Sequence, residues 1–315
     1  KEIGRPLMVK VRRRTMLGMA LGIALICAGS TCGQPTRNTS ASMNRYKIAL
    51  DEFQKRELQA AVTDSKKALE YDPDNADALN LLGLIAAQRG VDDIDLAEKR
   101  RCERGPVGQS LRKEADGYFA EAAKYFKRAI KARKDHAEAY NSLAAVSIRL
   151  GRYDEAVLYA KEALAYAPRL MRVETARANL GWAYYYQRNY VKAEQELLQS
   201  TSRDPAFCVG AYRLAKVQWD QRRPGQVIEA LETVMRAGNC PILEAHQLLG
   251  MAFVSEKQDR QARSWFKSCA ELEPASCVAE ECKRSLALLP GGSEPDDEGD
   301  EDTAPGSTDG DANGG

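Results

Sequence analysis

The sequence predicts an all-α fold, a right-handed α-solenoid of about six helical hairpins closed by a C-terminal capping helix. The first observation is the stretch AEAYNSLAAVSIRLGRYDEAVLYAKEALAYAPRL, residues 137 to 170. Tyr140, Leu143 and Ala144 recur at helical spacing, Gly151 breaks the helix, and Tyr153, Ala156, Ala160 and Ala163 mark one stripe of a second helix ending at Pro168. The second is that one such hairpin cannot bury both its faces, so neighbours of the same kind are required, and stepping by the same period finds them. The third is composition: alanine-rich, glycine-punctuated, 44% hydrophobic and only 7% aromatic.

This hairpin resembles a tetratricopeptide repeat (TPR), in which small residues let the two helices approach closely and aromatic or leucine side chains fill the space beside them. Repeat 1 runs from Ser42 to Pro73, with Ala49, Ala61 and Ala68 in the small-residue positions and a degenerate first helix. Repeat 2 begins at Ala76 with Leu79, Leu82 and Gly83, but its second helix, carrying Ala122, Phe126 and Ala129, arrives late. Residues 91 to 118 therefore read as a solvated insertion between the helices of one hairpin. The opening hairpin is repeat 3. Repeat 4 carries Leu180, Gly181, Tyr184, Tyr190, Ala193, Leu197 and Pro205; repeat 5 starts at Cys208 with Ala211, Leu214 and Ala215 and lacks the terminal proline. Repeat 6 restores the pattern with Leu249, Gly250, Phe253, Ala262, Phe266 and Pro274, and residues 275 to 289 form the capping helix.

The ends read differently. Residues 1 to 31 are a signal peptide: Lys10, Arg12, Arg13 and Arg14 precede the apolar MLGMALGIALICAG, too short to span a bilayer but right for an export segment. Cys32 follows directly, where a bacterial lipoprotein carries its acylated cysteine, although Gly29 and Thr31 stand at the usual lipobox positions of Leu and of Gly or Ala. Ordinary cleavage near Ala28 to Thr31 would instead leave Cys32 a plain thiol. Residues 32 to 41 are a polar tether, residues 42 to 289 the array, and residues 290 to 315, with nine acidic side chains and no apolar period, a disordered tail.

Charge and motif content narrow the chemistry. The 46 basic and 45 acidic residues are interleaved, leaving a net charge of +1 and no nucleic-acid surface. His136 and His246 lie in different repeats, without a nucleophile motif or phosphate-cradling loop, so the residues do not describe an enzyme. The acidic VDDIDLAE, residues 91 to 98, lacks the spacing of a calcium loop, and no Cys-x-x-Cys pair offers zinc a site; no cofactor is expected. An exported chain would oxidise its cysteines. Cys208 opens the first helix of repeat 5 and Cys240 follows the second, ends that an antiparallel hairpin brings together. Cys269 to Cys282 is the preferred second bridge, with Cys277 nearly as eligible, and Cys102 is unassigned.

Binding is the remaining use for the array. Inward-facing positions of the first helices carry Trp182 and Tyr185 in repeat 4, Tyr212 and Trp219 in repeat 5, and Tyr46, Leu50 and Phe53 in repeat 1. A folded hairpin needs no aromatics there for its own packing, so these residues suit a groove for an amphipathic or extended peptide. The other reading is that some of them pack on neighbouring repeats or on the tail.

An exported array of six TPRs with RANLGWAYYYQRNYVKAEQELLQSTSRDP at residues 177 to 205, followed by YRLAKVQWDQR, resembles the type IV pilus pilotins. Within that PilF, PilW and Tgl family, the cysteine-bearing last repeats look most like Tgl. The resemblance covers residues 43 to about 289. It implies a lipoprotein on the periplasmic face of the outer membrane, anchored through Cys32, that binds secretin subunits and promotes their assembly into the pore for the pilus. The runner-up is a periplasmic TPR scaffold or co-chaperone for another envelope or polysaccharide-export machine.

Overall fold

Gly151 adopts φ of 71°, the left-handed conformation that closes a helix so the chain can turn back. The same geometry recurs at the corresponding turn of four other hairpins, where it is held by Arg56, Arg188, Arg222 and Lys257, with φ between 59° and 62°. At each turn the residue after the left-handed one donates its N–H to a carbonyl five residues back: Arg152 to Ser147, Asn189 to Tyr184, Arg223 to Gln218, and Gln258 to Phe253. This paired closure satisfies carbonyls that the helix end would otherwise orphan.

The computed structural model describes residues 37–99, 107–236 and 240–290. Residues 1–36 with Cys32, Cys102, and the acidic tail from 291 lie outside the described residues. From Asn38 onward the chain forms one unit of thirteen α-helices among the described residues, without a strand. They pair as α1 (Thr39–Gln54) with α2 (Leu58–Tyr71), α3 (Ala76–Lys99) with α4 (Val107–Ala132), and α5 (Ala137–Arg149) with α6 (Tyr153–Ala165). The later hairpins are α7 (Val173–Tyr186) with α8 (Tyr190–Arg203), α9 (Cys208–Asp220) with α10 (Pro224–Arg236), and α11 (Leu243–Ser255) with α12 (Asp259–Leu272). Helix α13 (Cys277–Leu288) caps the array.

Small residues on the first helix of each hairpin admit bulky ones from the second. A Cβ built on Gly83 would stand 2.5 Å from the Phe126 ring, one on Gly181 2.6 Å from Leu197 Cγ, and one on Gly250 2.7 Å from the Phe266 ring. Those partners are fully buried. Repeat 3 meets the same need with Ala144 against Ala160 in one cluster. Polar groups bind one helix of a hairpin to the other where the backbones come close: Ser42 Oγ donates to Ala68 O at 2.7 Å, and Ser200 Oγ to Glu174 O at 2.7 Å.

Two boundaries differ from the sequence reading. Helix α1 begins at Thr39, with the Asn38 side chain accepting from the Ala41 N–H, so residues 39 to 41 are helix rather than tether. The insertion of repeat 2 is chiefly an extension of both helices, 24 residues in α3 and 26 in α4, rather than a solvated loop. Val91 and Ile94 pack on Ala115 and Phe119, and Gly90 lies against the Phe119 ring. These apolar positions sit one helical turn apart among acidic residues, which masked them.

The cysteines join elements near the C-terminal end. Cys208 and Cys240 form a disulfide with Cα atoms 5.1 Å apart, linking the start of α9 to the segment after α10, and Cys269 and Cys282 form another, linking α12 to α13. Cys277 is engaged in a disulfide of its own. Closing the 32-residue separation between Cys208 and Cys240 contributes about 3 to 4 kcal/mol on the chain-entropy account.

The turn and the close approach give opposite expectations for two substitutions. Gly250→Ala forces a methyl group into the Phe266 ring and should cost about 1 to 3 kcal/mol. Arg222→Gly relieves a side chain from the left-handed region and should gain about 1 kcal/mol. Thermal melts followed by circular dichroism should move down for the first and up for the second. A rise for Gly250→Ala would contradict the packing described.

Candidate protein-binding face

The first helices of repeats 3, 4 and 5, α5, α7 and α9, pack side by side, so equivalent residues of successive repeats line up across one face. A ladder of polar groups shows the register. The Asn179 side chain donates to Asn141 Oδ1 at 2.9 Å, and Arg213 Nη1 donates to Asn179 Oδ1 at 2.9 Å. Asn141, Asn179 and Arg213 belong to consecutive repeats.

Aromatic rings surround this ladder. Trp182 and Tyr185 stack in parallel at 4.4 Å, Tyr186 meets both edge-on, and Tyr186 stacks in turn on Tyr153 at 4.7 Å. Offset or stacked aromatic pairs add to the energy of area burial and fix ring orientation. Tyr185 Oη donates to Asp220 Oδ2 at 2.8 Å, tying α7 to the end of α9. Burial first, and then this hydrogen bond, push the Tyr185 phenol well above its usual value. The Arg213 guanidinium lies 5.6 Å from the Trp182 ring centre, within cation–π range.

The seven residues singled out in the sequence divide among three places. Trp182 and Tyr185 share the stack just described. Tyr212 and Trp219 pack against the buried cluster that holds both described disulfides. Tyr46, Leu50 and Phe53 cover Ala49, Ala61, Leu81 and Ile85 in repeats 1 and 2. All seven are half-buried, so the expectation that the hairpins need no aromatics there is corrected: each ring closes a hydrophobic cluster, and Trp182 lies on Ile148, Ala156 and Ala183 of two repeats. Tyr186, Tyr153 and Arg213 were not singled out. The run of three tyrosines at 184 to 186 and the place of Arg213 one repeat length after Asn179 were the available signals.

The histidines serve the frame. His136 caps α5, its Nδ1 accepting from the Ala139 N–H at 3.3 Å, and the His246 ring bonds Ser268 Oγ and Cys240 O. Among the described residues no group of three or more His, Cys, Asp or Glu is disposed to hold a metal ion. No described helix is long and apolar enough to cross a membrane.

The tetratricopeptide repeat family matches residues 46–93 and 108–169, passing over the end of α3 and the start of α4, and matches again at 243–276. The chain is built of tetratricopeptide repeats. The TPR hairpins of repeats 4 and 5 fold alike although no such match covers them. No curated protein matches the sequence. Among solved structures the TPR array is similar to PilW, described as a widely conserved type IV pilus biogenesis factor, at 19% identity and a TM-score of 0.58, covering 76% of this chain and 97% of that one. It is also similar to PilF of Pseudomonas aeruginosa, at 18% identity and a TM-score of 0.57, covering 78% and 98%.

The ring stack yields an expectation for stability. Trp182→Ala removes a half-buried ring shared by two repeats and should cost about 2 kcal/mol. Tyr185→Phe keeps the stack and loses one exposed hydrogen bond, a change of about 1 kcal/mol or less. Thermal melts should rank wild type, Tyr185→Phe and Trp182→Ala in falling order. An unchanged melt for Trp182→Ala would mean that the ring does not join the repeats.

Proposed function

We propose that this TPR protein is a pilotin: an outer-membrane lipoprotein, held on the periplasmic face through Cys32, that binds secretin subunits and promotes their assembly for type IV pili. The observation that carries the reading is the likeness of the array to PilW and PilF over nearly the whole length of both. The aromatic stack of α7, joined by Tyr153 at the start of α6, supports it, because a protein partner needs rigid rings that bury area at low entropic cost. The work is binding rather than chemistry. An apolar secretin segment would lie along the first helices while the acyl chains keep the complex at the membrane; one chain alone binds membranes only marginally, so several are needed. The disulfide-bearing last repeats suit the oxidising periplasm and favour a Tgl-like member of that family.

Deletion of the protein should abolish the detergent-resistant secretin multimer seen on gels, and wild-type protein should restore it. Palmitate labelling should mark the wild type and miss Cys32→Ser. Full secretin assembly in the deletion strain would contradict the pilotin reading and favour a scaffold for another envelope or polysaccharide-export machine. Labelling that survives Cys32→Ser would remove the anchor from the account.

A further inference from the structure

We infer that Arg149 and Arg213 form an anion subsite that takes the side-chain carboxylate of an acidic residue lying beside an apolar residue in the bound protein segment. The inference rests on the reading that the first helices of repeats 3 to 5 face a protein partner, and it names what that face selects.

Arginines elsewhere in the array meet carboxylates: within a repeat Arg133 reaches Asp77, Arg172 reaches Glu174 and Asp204, and Arg177 reaches Glu196, while Arg223 reaches Glu194 of the preceding repeat. Arg213 has no carboxylate partner among the described residues, and neither does Arg149. Exposed arginines such as Arg149 and Arg152 can do without one because water solvates them. Arg213 is different, being half-buried with its guanidinium against the Trp182 ring. The charge that acts on it is that of Arg149, while the phenols of Tyr186 and Tyr212 act in the opposite sense. Burial, and then the like charge of Arg149, pull the Arg213 guanidinium down to about 10, so it stays protonated at neutral pH but against resistance.

The side chain is held in that position regardless. The Asn141–Asn179–Arg213 ladder engages one donor of the guanidinium and fixes its plane without neutralising it. A guanidinium carries five donors in a rigid fork that matches a carboxylate. An incoming carboxylate would relieve the repulsion between the two arginines and use donors that the ladder leaves over. The stacked rings of Trp182, Tyr185 and Tyr186 lie alongside, which is why the residue next to the acid should be apolar.

The test is a random-peptide phage library panned against the full-length chain, with each peptide fused to the coat protein at its C-terminus so that only side chains supply carboxylates. Enriched peptides should carry Asp or Glu next to an aromatic or aliphatic residue. A synthetic copy of one should bind the Arg149→Gln, Arg213→Gln double variant about tenfold more weakly or worse by calorimetry, and bind Arg152→Gln as it binds wild type. If the double variant fails to fold, the same peptide with Asn or Gln in place of its acid should show the loss on wild-type protein. Enriched peptides indifferent to the acid and to both arginines would overturn the subsite and leave the peptide-binding face standing. No enrichment at all would overturn the face and the subsite together. Displacement of the peptide by an equal concentration of a synthetic peptide of residues 291–315 would assign the arginines to the chain's own acidic tail and overturn the partner assignment.

Discussion

Everything in the array depends on the close approach of two helices at one small residue per hairpin. Where Gly83, Gly181 or Gly250 stands on the first helix, Phe126, Leu197 or Phe266 of the second fills the space a Cβ would take. The helices can then lie near enough for the turn between them to be only a few residues long, and that turn must close through a left-handed residue. Four of the five such turns place arginine or lysine there instead of glycine, a strain that the packing of the hairpin sustains. Each hairpin still leaves a face uncovered, so the next hairpin must stack on it, and the cap α13 ends the series with a face packed inward and an exposed Leu288 at its end.

Stacking at a fixed period has a consequence for function. Because first helices lie beside first helices, side chains one repeat apart meet across one face, and a few substitutions in the repeat produce a continuous row. Asn141, Asn179 and Arg213 form one such row, and Tyr153, Tyr186, Trp182 and Tyr185 form the aromatic surface beside it. The rings close hydrophobic clusters between repeats, and part of their surface stays exposed to solvent.

Much of this was legible in the residues because packing leaves a period. Ala144, Gly181 and Gly250 could be placed from spacing alone, since only a small residue fits where helices touch. The turns at Arg56, Arg188, Arg222 and Lys257 could not, because nothing in those side chains signals a positive φ. The extension of α3 and α4 was hidden since Val91 and Ile94 are interspersed with Asp92, Asp93 and Asp95, so the stretch reads as polar until the helix is drawn. The double duty of Trp182 was one of two readings left open: spacing puts it on the inward face but does not reveal that Ile148 and Ala156 of the preceding repeat lie beneath it. Arg213 could be read as one more surface charge until its neighbours were known.

The central claim is that a protein partner docks on the first helices of repeats 3 to 5. It is tested most directly by site-specific photocrosslinking in the cell envelope, with benzoylphenylalanine placed at Tyr186 on that face and at Leu158, an exposed residue of the second helix α6. The account expects a discrete crosslinked species from Tyr186 and none from Leu158. Crosslinking from Leu158 with none from Tyr186 would contradict it and move the partner to the opposite surface.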